Sequence, residues 1–405
     1  MSLPQTALAN DHREFEPRPV HTRWPHHDED EVRAVVQVLE SGRVNSLVHG
    51  DECRAFEREF ADFVGVSYGI SVSNGTVSLE VALRALGIGP GDEVILPARS
   101  FFASLSCVMA VGATPVIADI DLDSQNILPE SIETLVTAKT KAILCVHLAG
   151  WPCDMDRILE ICDKHDIFLI EDCAQAHGAT YRGRPVGSFG HASSFSFCTD
   201  KIMSTGGEGG MLLLKDENVW ARAWAYKDHG KNPQKLFGST RHVVGEFRYV
   251  HDSFGSNFRM TEMQAAIGRI QLRKLPDWVN RRRENAALLT KALSGHPAIY
   301  IPELPEYVGH AYYKFYLHLR PEALPKGKDR RDIIAELGSL GINCGVGSCP
   351  DMSRESAFGN QPPRMDGDLA NAASVGESTL IFAVDHLATT EDMQSIAWAL
   401  ESALS

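Results

Sequence analysis

The sequence predicts an α/β protein: a mostly parallel central sheet flanked by helices, followed by a smaller C-terminal α+β unit. Three observations predict it. Between residues 66 and 215, short apolar runs alternate with helical segments, the order of repeated βαβ units. Those runs are continuous rather than alternating, as strands covered on both faces require. Past residue 300 the order becomes strand, helix, strand and a final helix.

A chain of 405 residues suits two or three domains and can bury a large core without disulfides or metals. With 44% apolar and 23% charged residues it is an ordinary folded composition, which excludes disorder, coiled coil and collagen. The 53 acidic residues outnumber the 39 basic ones, for a net charge of −14. That weighs against a nucleic-acid partner, which needs a basic face, but a local pocket can still receive a phosphate. Nine cysteines, an odd number and several within apolar runs, read as reduced thiols of a cytoplasmic protein. No CxxC pair suggests a zinc ribbon, and no metal site is expected. The first residues lack the basic and apolar regions of a signal peptide. No apolar stretch approaches 18 residues, so no membrane span is expected.

In chain order, residues 1–30 are rich in Pro, His and acid and read as an N-terminal arm. Asp28 to Glu40 has helical apolar spacing (Val32, Val35, Val36, Leu39), with Gly42 as a stop. Asp51 to Phe63 forms a second helix with Phe56, Phe60 and Phe63 on one face. The runs YGISVS, EVILPA, TPVIADI, KAILCVHLA, IFLIEDCA, ASSFSF and GGMLLLK are the strands, with helices at 75–86, 101–111 and 154–165 between them. Residues 216–260 are polar and aromatic with few periodic signals, and read as a long loop of the kind that carries function. A helical pattern then runs from Thr261, which can cap it, to about Leu293, with a break expected near Pro276. The strand YKFYLHL, a helix at 329–338, a strand at 379–384 and a helix at 390–403 complete the chain. The expected division is the arm, a large domain over 31–275 and a small domain over 276–405.

Four features fall at the carboxyl ends of these strands, where open α/β sheets bind ligands. Ser73-Asn74-Gly75-Thr76 opens a helix and so offers backbone N–H groups to a phosphate, although an ordinary capped turn looks the same. Glu171-Asp172-Cys173-Ala174-Gln175-Ala176-His177-Gly178 places acids at a strand end, where a carboxylate needs a partner; a helix cap or a structural salt bridge is the alternative. Ser194 to Lys201, followed by Ser204-Thr205-Gly206-Gly207-Glu208-Gly209-Gly210, sets a lysine among small residues. Most lysines are solvated, but a desolvated one can form an imine. Arg99-Ser100-Phe101-Phe102-Ala103-Ser104 supplies an aromatic ring that can stack on a ligand or pack in the core. An anion-binding turn, a stacking ring, a buried carboxylate and a lysine are the parts that pyridoxal 5′-phosphate needs for its phosphate, its ring, its pyridine nitrogen and its aldehyde.

The order SNGT, SFFAS, EDCAQAHGA, SFSFCTDK…GGEGG and GSNFRMTEMQAAIG resembles the DegT/DnrJ/StrS family of sugar aminotransferases, over roughly residues 30–400. The resemblance implies the fold-type-I architecture of pyridoxal-phosphate transferases. It implies that Lys201 binds the cofactor covalently and acts as general base, that Asp172 pairs with the pyridinium nitrogen, and that Gln175 approaches the phenolic oxygen. Phe101 is implied to stack on the ring, and Gly75, Thr76 and Ser196 to hold the phosphate. Asn257 matches an asparagine that reaches the cofactor phosphate of a neighbouring subunit, which implies a homodimer with shared active sites.

The segments KDHGK, TDKIMSTGGEGG, GVGSCPDMSRESAF and GESTLIFAV resemble the branch acting on dTDP-4-keto-6-deoxy-D-glucose with L-glutamate as donor, for O-antigen or related glycans. Many members carry a His-Tyr pair where this chain has Ser348-Cys349, which puts the sugar contacts in doubt. Lys227, His229, Lys231 and Arg259 are the candidate counter-charges for a sugar diphosphate, with a solvated loop as the alternative. His310, Tyr312 and Tyr313 can face the cleft or fill a core strand, and Asn45 and Ser46 resemble a substrate-entry loop. His147 and His177 are expected to be satisfied structural residues, since no second ligand lies at a zinc-like spacing. Competing readings are a keto-cyclitol or 3-keto-sugar aminotransferase, a sugar 3-dehydratase (disfavoured because those carry His at the lysine) and a non-catalytic regulator, for which residues 1–30 are too short and acidic. A nicotinamide dehydrogenase is disfavoured because no GxGxxG follows the first strand.

Overall fold

An eight-stranded sheet organises the larger part of the chain, and the carboxyl ends of its strands meet at one cleft. The computed structural model describes residues 17–238 and 247–405. Residues 1–16 of the expected arm lie outside these. The large sheet is made of β1 (Tyr68–Val72), β2 (Glu93–Pro97), β3 (Thr114–Ala118), β4 (Thr140–Val146), β5 (Phe168–Asp172), β8 (Ala192–Ser196), β9 (Gly210–Leu214) and β14 (Arg364–Met365). Between β5 and β8, the short strands β6 (Thr180–Tyr181) and β7 (Arg184–Pro185) pair with β11 (Val308–Gly309). The order across the large sheet is β1-β9-β8-β5-β4-β2-β3-β14, and only β9 runs against its neighbours. This is the mostly parallel sheet with flanking helices that the sequence predicts.

Burial explains the continuous apolar runs. In β9, Leu212 joins the core under α3 (Gly75–Ala85), α4 (Ala103–Ala110) and α7 (Glu217–Lys227), whereas Met211 and Leu213 pack against α2 (Asp51–Val64) and α9 (Glu262–Leu293) on the other face. In β4, Leu144 goes to the first core, and Ile143 and Cys145 go to one shared with α5 (Pro129–Leu135) and α6 (Met155–His165). Adjacent side chains point to opposite faces and both faces are covered, so apolar residues predominate on each.

A second, antiparallel sheet of order β10-β12-β15-β13 consists of β10 (Ile299–Tyr300), β12 (Phe315–Leu319), β13 (Cys344–Gly345) and β15 (Thr379–Phe382). It packs against α10 (Arg330–Ser339), α12 (Thr390–Ala403) and the C-terminal half of α9 through Ala286, Leu289 and Leu293. The described part of the arm lies on this unit: Val20 bridges Ile342, and the Trp24 ring meets Trp278 at 5.4 Å before α1 (Glu29–Ser41) begins.

Two expectations are corrected. The 216–260 segment is not all loop: α7 begins at an Asp216 cap whose carboxylate accepts from Asn218 and Val219, and α8 (Pro233–Phe237) begins at an Asn232 cap. The residues that read as loop-formers are the caps; residues 239–246 lie outside the described residues. Nor does Pro276 break α9, which runs unbroken through it. A helix-interior proline costs about 3 kcal/mol. Leu275 and Val279 on the buried side offset that cost, while Pro276 is exposed. Chain order does not separate the two cores cleanly. α9 contributes to both, and β14 and α11 (Ala370–Ser378) carry the chain back to the large sheet, where Asp119 accepts from the N–H groups of Asn371 and Ala372.

Candidate active site

Glycines shape the turn between the end of β1 and α3. Asn74 caps α3 through a 3.0 Å bond from the Val77 N–H, and as the first residues of a helix Gly75 and Thr76 have no intrahelical acceptor for their own N–H groups. Those groups and the positive end of the helix point to where β8 ends. Ser194 Oγ donates to the Gly75 carbonyl at 3.2 Å. A Cβ on Gly75 would stand 2.7 Å from Ser196 Cβ, and one on Gly210 would stand 2.5 Å from the Asn74 backbone. Only glycine permits this approach of helix terminus, β8 and β9.

A cavity of about 460 Å³ opens here, lined by Gly75, Thr76, Phe101, Asp172, Gln175, Ser196 and Lys201, among others. Seven of the sequence-predicted site residues therefore share one wall. Phe101 is 68% exposed at that wall, so its ring face is available to a planar ligand. Asp172 ends β5 and is buried; its carboxylate accepts from Ser104 Oγ at 3.0 Å and from the Ala174 N–H at 3.1 Å. Ser104 Oγ lies 2.8 Å from that of Ser100, which makes a short hydroxyl chain behind the acid. Burial raises the Asp172 carboxyl above its ordinary range, against these donors and the charge of Lys201. Such an acid is completed by a cationic N–H. The Gln175 carbonyl oxygen accepts from the Ala149 N–H at 2.7 Å, so the group it presents to a ligand is its NH2, a donor.

Lys201 reaches the cavity with 15% of its side chain exposed. Its Nζ lies 3.6 Å from Asp200 and 5.0 Å from the centroid of the Tyr313 ring. An anion cradle, a stackable ring, an acid for a ring nitrogen, a donor for a ring oxygen and a primary amine are the complement of pyridoxal 5′-phosphate, and the residues present fit that group.

Other predicted residues lie elsewhere. His310 lines a second cavity of about 340 Å³, with its ring stacked on Tyr312 at 3.9 Å and held neutral by burial, which pushes its pKa down to about 3. Lys227 and Arg259 are not free counter-charges: Arg259 lies 2.7 Å and Lys231 3.1 Å from one oxygen of the buried Asp228, and Lys227 lies 3.5 Å from the other. A buried carboxylate recruits neighbouring cations. His229 is exposed with φ +60°, and Asn257 is exposed and bridged to Asp228. Asn45 caps its own turn through Leu47 and Val48, next to Ser46. None of these lines this chain's own cavity.

The expectation of a satisfied histidine holds for His147 and is corrected for His177. His147 is satisfied, by Glu171 at 3.1 Å and the Cys153 N–H at 3.0 Å, but Glu171 and Cys173 do approach it as ligand types. The Glu171 oxygens also accept from the N–H groups of Gly187, Phe189 and Gly190, so the cluster is a hydrogen-bonded one. His177 is buried among Phe60, Phe195 and Phe197 with neither ring nitrogen partnered among the described residues, and burial pushes its pKa down to about 3. Sequence reasoning missed Ser104, Asp200 and Ala149. The four-residue spacing of Ser100 and Ser104 at the start of a helix was the one available signal.

Among the described residues, no helix is long and apolar enough to cross a membrane. The model of the DegT/DnrJ/EryC1/StrS aminotransferase family matches residues 25–401. A GDP-perosamine synthase of Escherichia coli O157:H7 is 41% identical over 260 residues, 64% of this chain and 67% of that protein. A dTDP-3-amino-3,4,6-trideoxy-alpha-D-glucose transaminase of Streptomyces venezuelae is 39% identical over 269 residues, 66% of each. The X-ray structure of an aminotransferase from Psychrobacter cryohalolentis superposes with a TM-score of 0.90 at 47% identity, covering 94% of this chain and 98% of that one.

Proposed function

The chain belongs to the DegT/DnrJ/EryC1/StrS aminotransferase family and is a sugar aminotransferase with pyridoxal 5′-phosphate as cofactor, and from that premise we propose that it aminates a nucleotide-linked keto-6-deoxy sugar, dTDP-4-keto-6-deoxy-D-glucose first among candidates, with L-glutamate as donor. The observation that carries the reading is the convergence of Lys201 and Asp172, from two strand ends, on one cavity with a phosphate cradle.

The bound cofactor supplies an electron sink through which an amino group passes from donor to acceptor. The chain supplies the rest. The Gly75 and Thr76 N–H groups and the Ser196 hydroxyl hold the phosphate. Phe101 would cover one ring face, and the Gln175 NH2 group would be the donor for the ring oxygen. Asp172 holds a proton at the ring nitrogen, with Ser104 fixing its orientation. Lys201 would hold the cofactor, and its amine is the group that would move the donor's α-proton. Asn45, Ser46, His229 and Asn257 lie off this chain's cavity, so we assign them to the site of a second subunit in a homodimer, working in the cytoplasm; Lys227 and Arg259, held by Asp228, support that segment from behind.

The test is purified protein incubated with glutamate and, separately, dTDP-4-keto-6-deoxyglucose, GDP-4-keto-6-deoxymannose, a 3-keto nucleotide sugar and scyllo-inosose. Amino-sugar formation from the dTDP sugar supports the reading. Turnover of scyllo-inosose alone replaces it with the cyclitol reading. Lys201→Ala abolishes turnover and the visible absorption band, and an active, still-yellow variant overturns the lysine assignment.

A further inference from the structure

Asp200 stands between Lys201 and Tyr313. The Tyr313 hydroxyl donates to Asp200 Oδ2, and Asp200 Oδ1 lies 3.6 Å from Lys201 Nζ. The amine also sits over the Tyr313 ring, 5.0 Å from its centroid. Tyr313 is held at its backbone from two sides: its N–H donates to the Ala149 carbonyl at 2.8 Å, and its carbonyl accepts from Arg282 at 3.3 Å. Ala149 in turn gives its own N–H to Gln175. One rigid path therefore links the residue that meets the ring oxygen to the residue that meets the amine.

We propose that Asp200 and Tyr313 are a positioning pair for Lys201: the carboxylate, aimed by the tyrosine hydroxyl, holds the amine against the aromatic ring and sets an anion, distinct from Asp172 at the ring nitrogen, beside the nitrogen that binds the cofactor. This rests on Lys201 being that nitrogen. Burial tends to raise the Asp200 carboxyl, but Lys201 and the Tyr313 hydroxyl outweigh it and hold it below the usual range, so it is ionised at neutral pH. Burial, reinforced by Asp200, pushes the Tyr313 hydroxyl up, so it remains a donor.

Other titratable groups lie around the same nitrogen. Asp172 and His177 come from β5 and the turn after it, and Cys198 and Glu208 from the lysine's own loop. Lys314 and Arg282 lie behind Tyr313. Among the described residues, Asp200 is the only acid within ion-pair distance of the amine. An adjacent anion favours a proton on a nitrogen, by one to three pH units at 4–6 Å. The Asp200 side chain is 54% exposed, which places the effect at the low end.

The experiment is a pH titration of the visible band of the cofactor-loaded enzyme. Asp200→Asn is expected to keep the band and lower its pH midpoint by about one unit. Tyr313→Phe, which keeps the ring and removes the hydroxyl, is expected to lower it by roughly half as much. The alkaline limb of the kcat/KM profile should move down with the band. Midpoints within about 0.3 unit of the parent in both variants overturn the pairing. If Asp200→Asn does not retain the cofactor, Tyr313→Phe alone decides. A yellow Lys201→Ala protein would instead show that the underlying lysine assignment is wrong.

Discussion

Gly75→Ala isolates the phosphate cradle, because its cost is steric and readable from the backbone. The added Cβ would lie 2.7 Å from Ser196 Cβ and 3.2 Å from both Ser196 Cα and Oγ. Carbon atoms rest at about 3.5–4.0 Å, so helix terminus and strand must part by roughly 1 Å. Overpacking of this kind costs about 1–3 kcal/mol. The same displacement carries an N–H···O bond from about 2.9 Å beyond its useful range, losing a charge-assisted bond of about 1.5–3 kcal/mol. A loss of about 2 kcal/mol in binding corresponds to a roughly 30-fold weaker dissociation constant for the cofactor. The assay is absorbance titration of the apoenzyme with pyridoxal 5′-phosphate, beside a thermal melt. Away from a tight contact, alanine in place of glycine stabilises a helix by up to about 1 kcal/mol, so the reasoning predicts the opposite sign from propensity. A variant that melts higher and binds the cofactor as tightly as the parent refutes it.

Asp172→Asn should retain the cofactor through Lys201 and the cradle but lower kcat by about 10²–10³-fold, the usual loss when a group opposing developing charge is removed; steady-state turnover with glutamate checks this, and near-parental kcat would mean that Asp172 is a structural acid. Glu171→Gln should destabilise the fold by about 3 kcal/mol at neutral pH in urea melts, because its NH2 must face one of two donor pairs, His147 with Gly187 or Phe189 with Gly190. Burial alone would raise the Glu171 carboxyl, but His147 and the backbone donors outweigh it and hold it below 4.5. Its contribution is thus complete above pH about 4.5 and is lost as pH falls through the lowered value. The variant's stability should accordingly fall less steeply in acid than the parent's, and parallel acid limbs would contradict the assignment.

The residues that proved legible in sequence are those whose neighbours in the chain are also their neighbours in space. SNGT is a strand end, a cap and a helix start within four residues, and Ser196 and Lys201 share one strand end. What stayed hidden depends on distant partners. Asp200 meets Tyr313 across 113 positions, and Asp119 caps α11 across more than 250. The two-residue strand β14 has no periodicity to detect and exists because β3 offers a free edge. Lys227 and Arg259 were read as free charges because nothing local shows that Asp228 is buried beside them.

Because α9 carries the large core at one end and the small core at the other, the C-terminal sheet has no slack tether on which to swivel. Tyr313 already packs with the large core, so only the sheet that begins at Phe315 can shift against it, and part of any such shift is taken up as flexure of the α9 rod. The rod's softest point is Pro276, where the carbonyl of Leu272 meets no amide four residues on. A proline on the outer side of α9 thus removes one rung of its backbone ladder, about midway between the two cores that the helix joins.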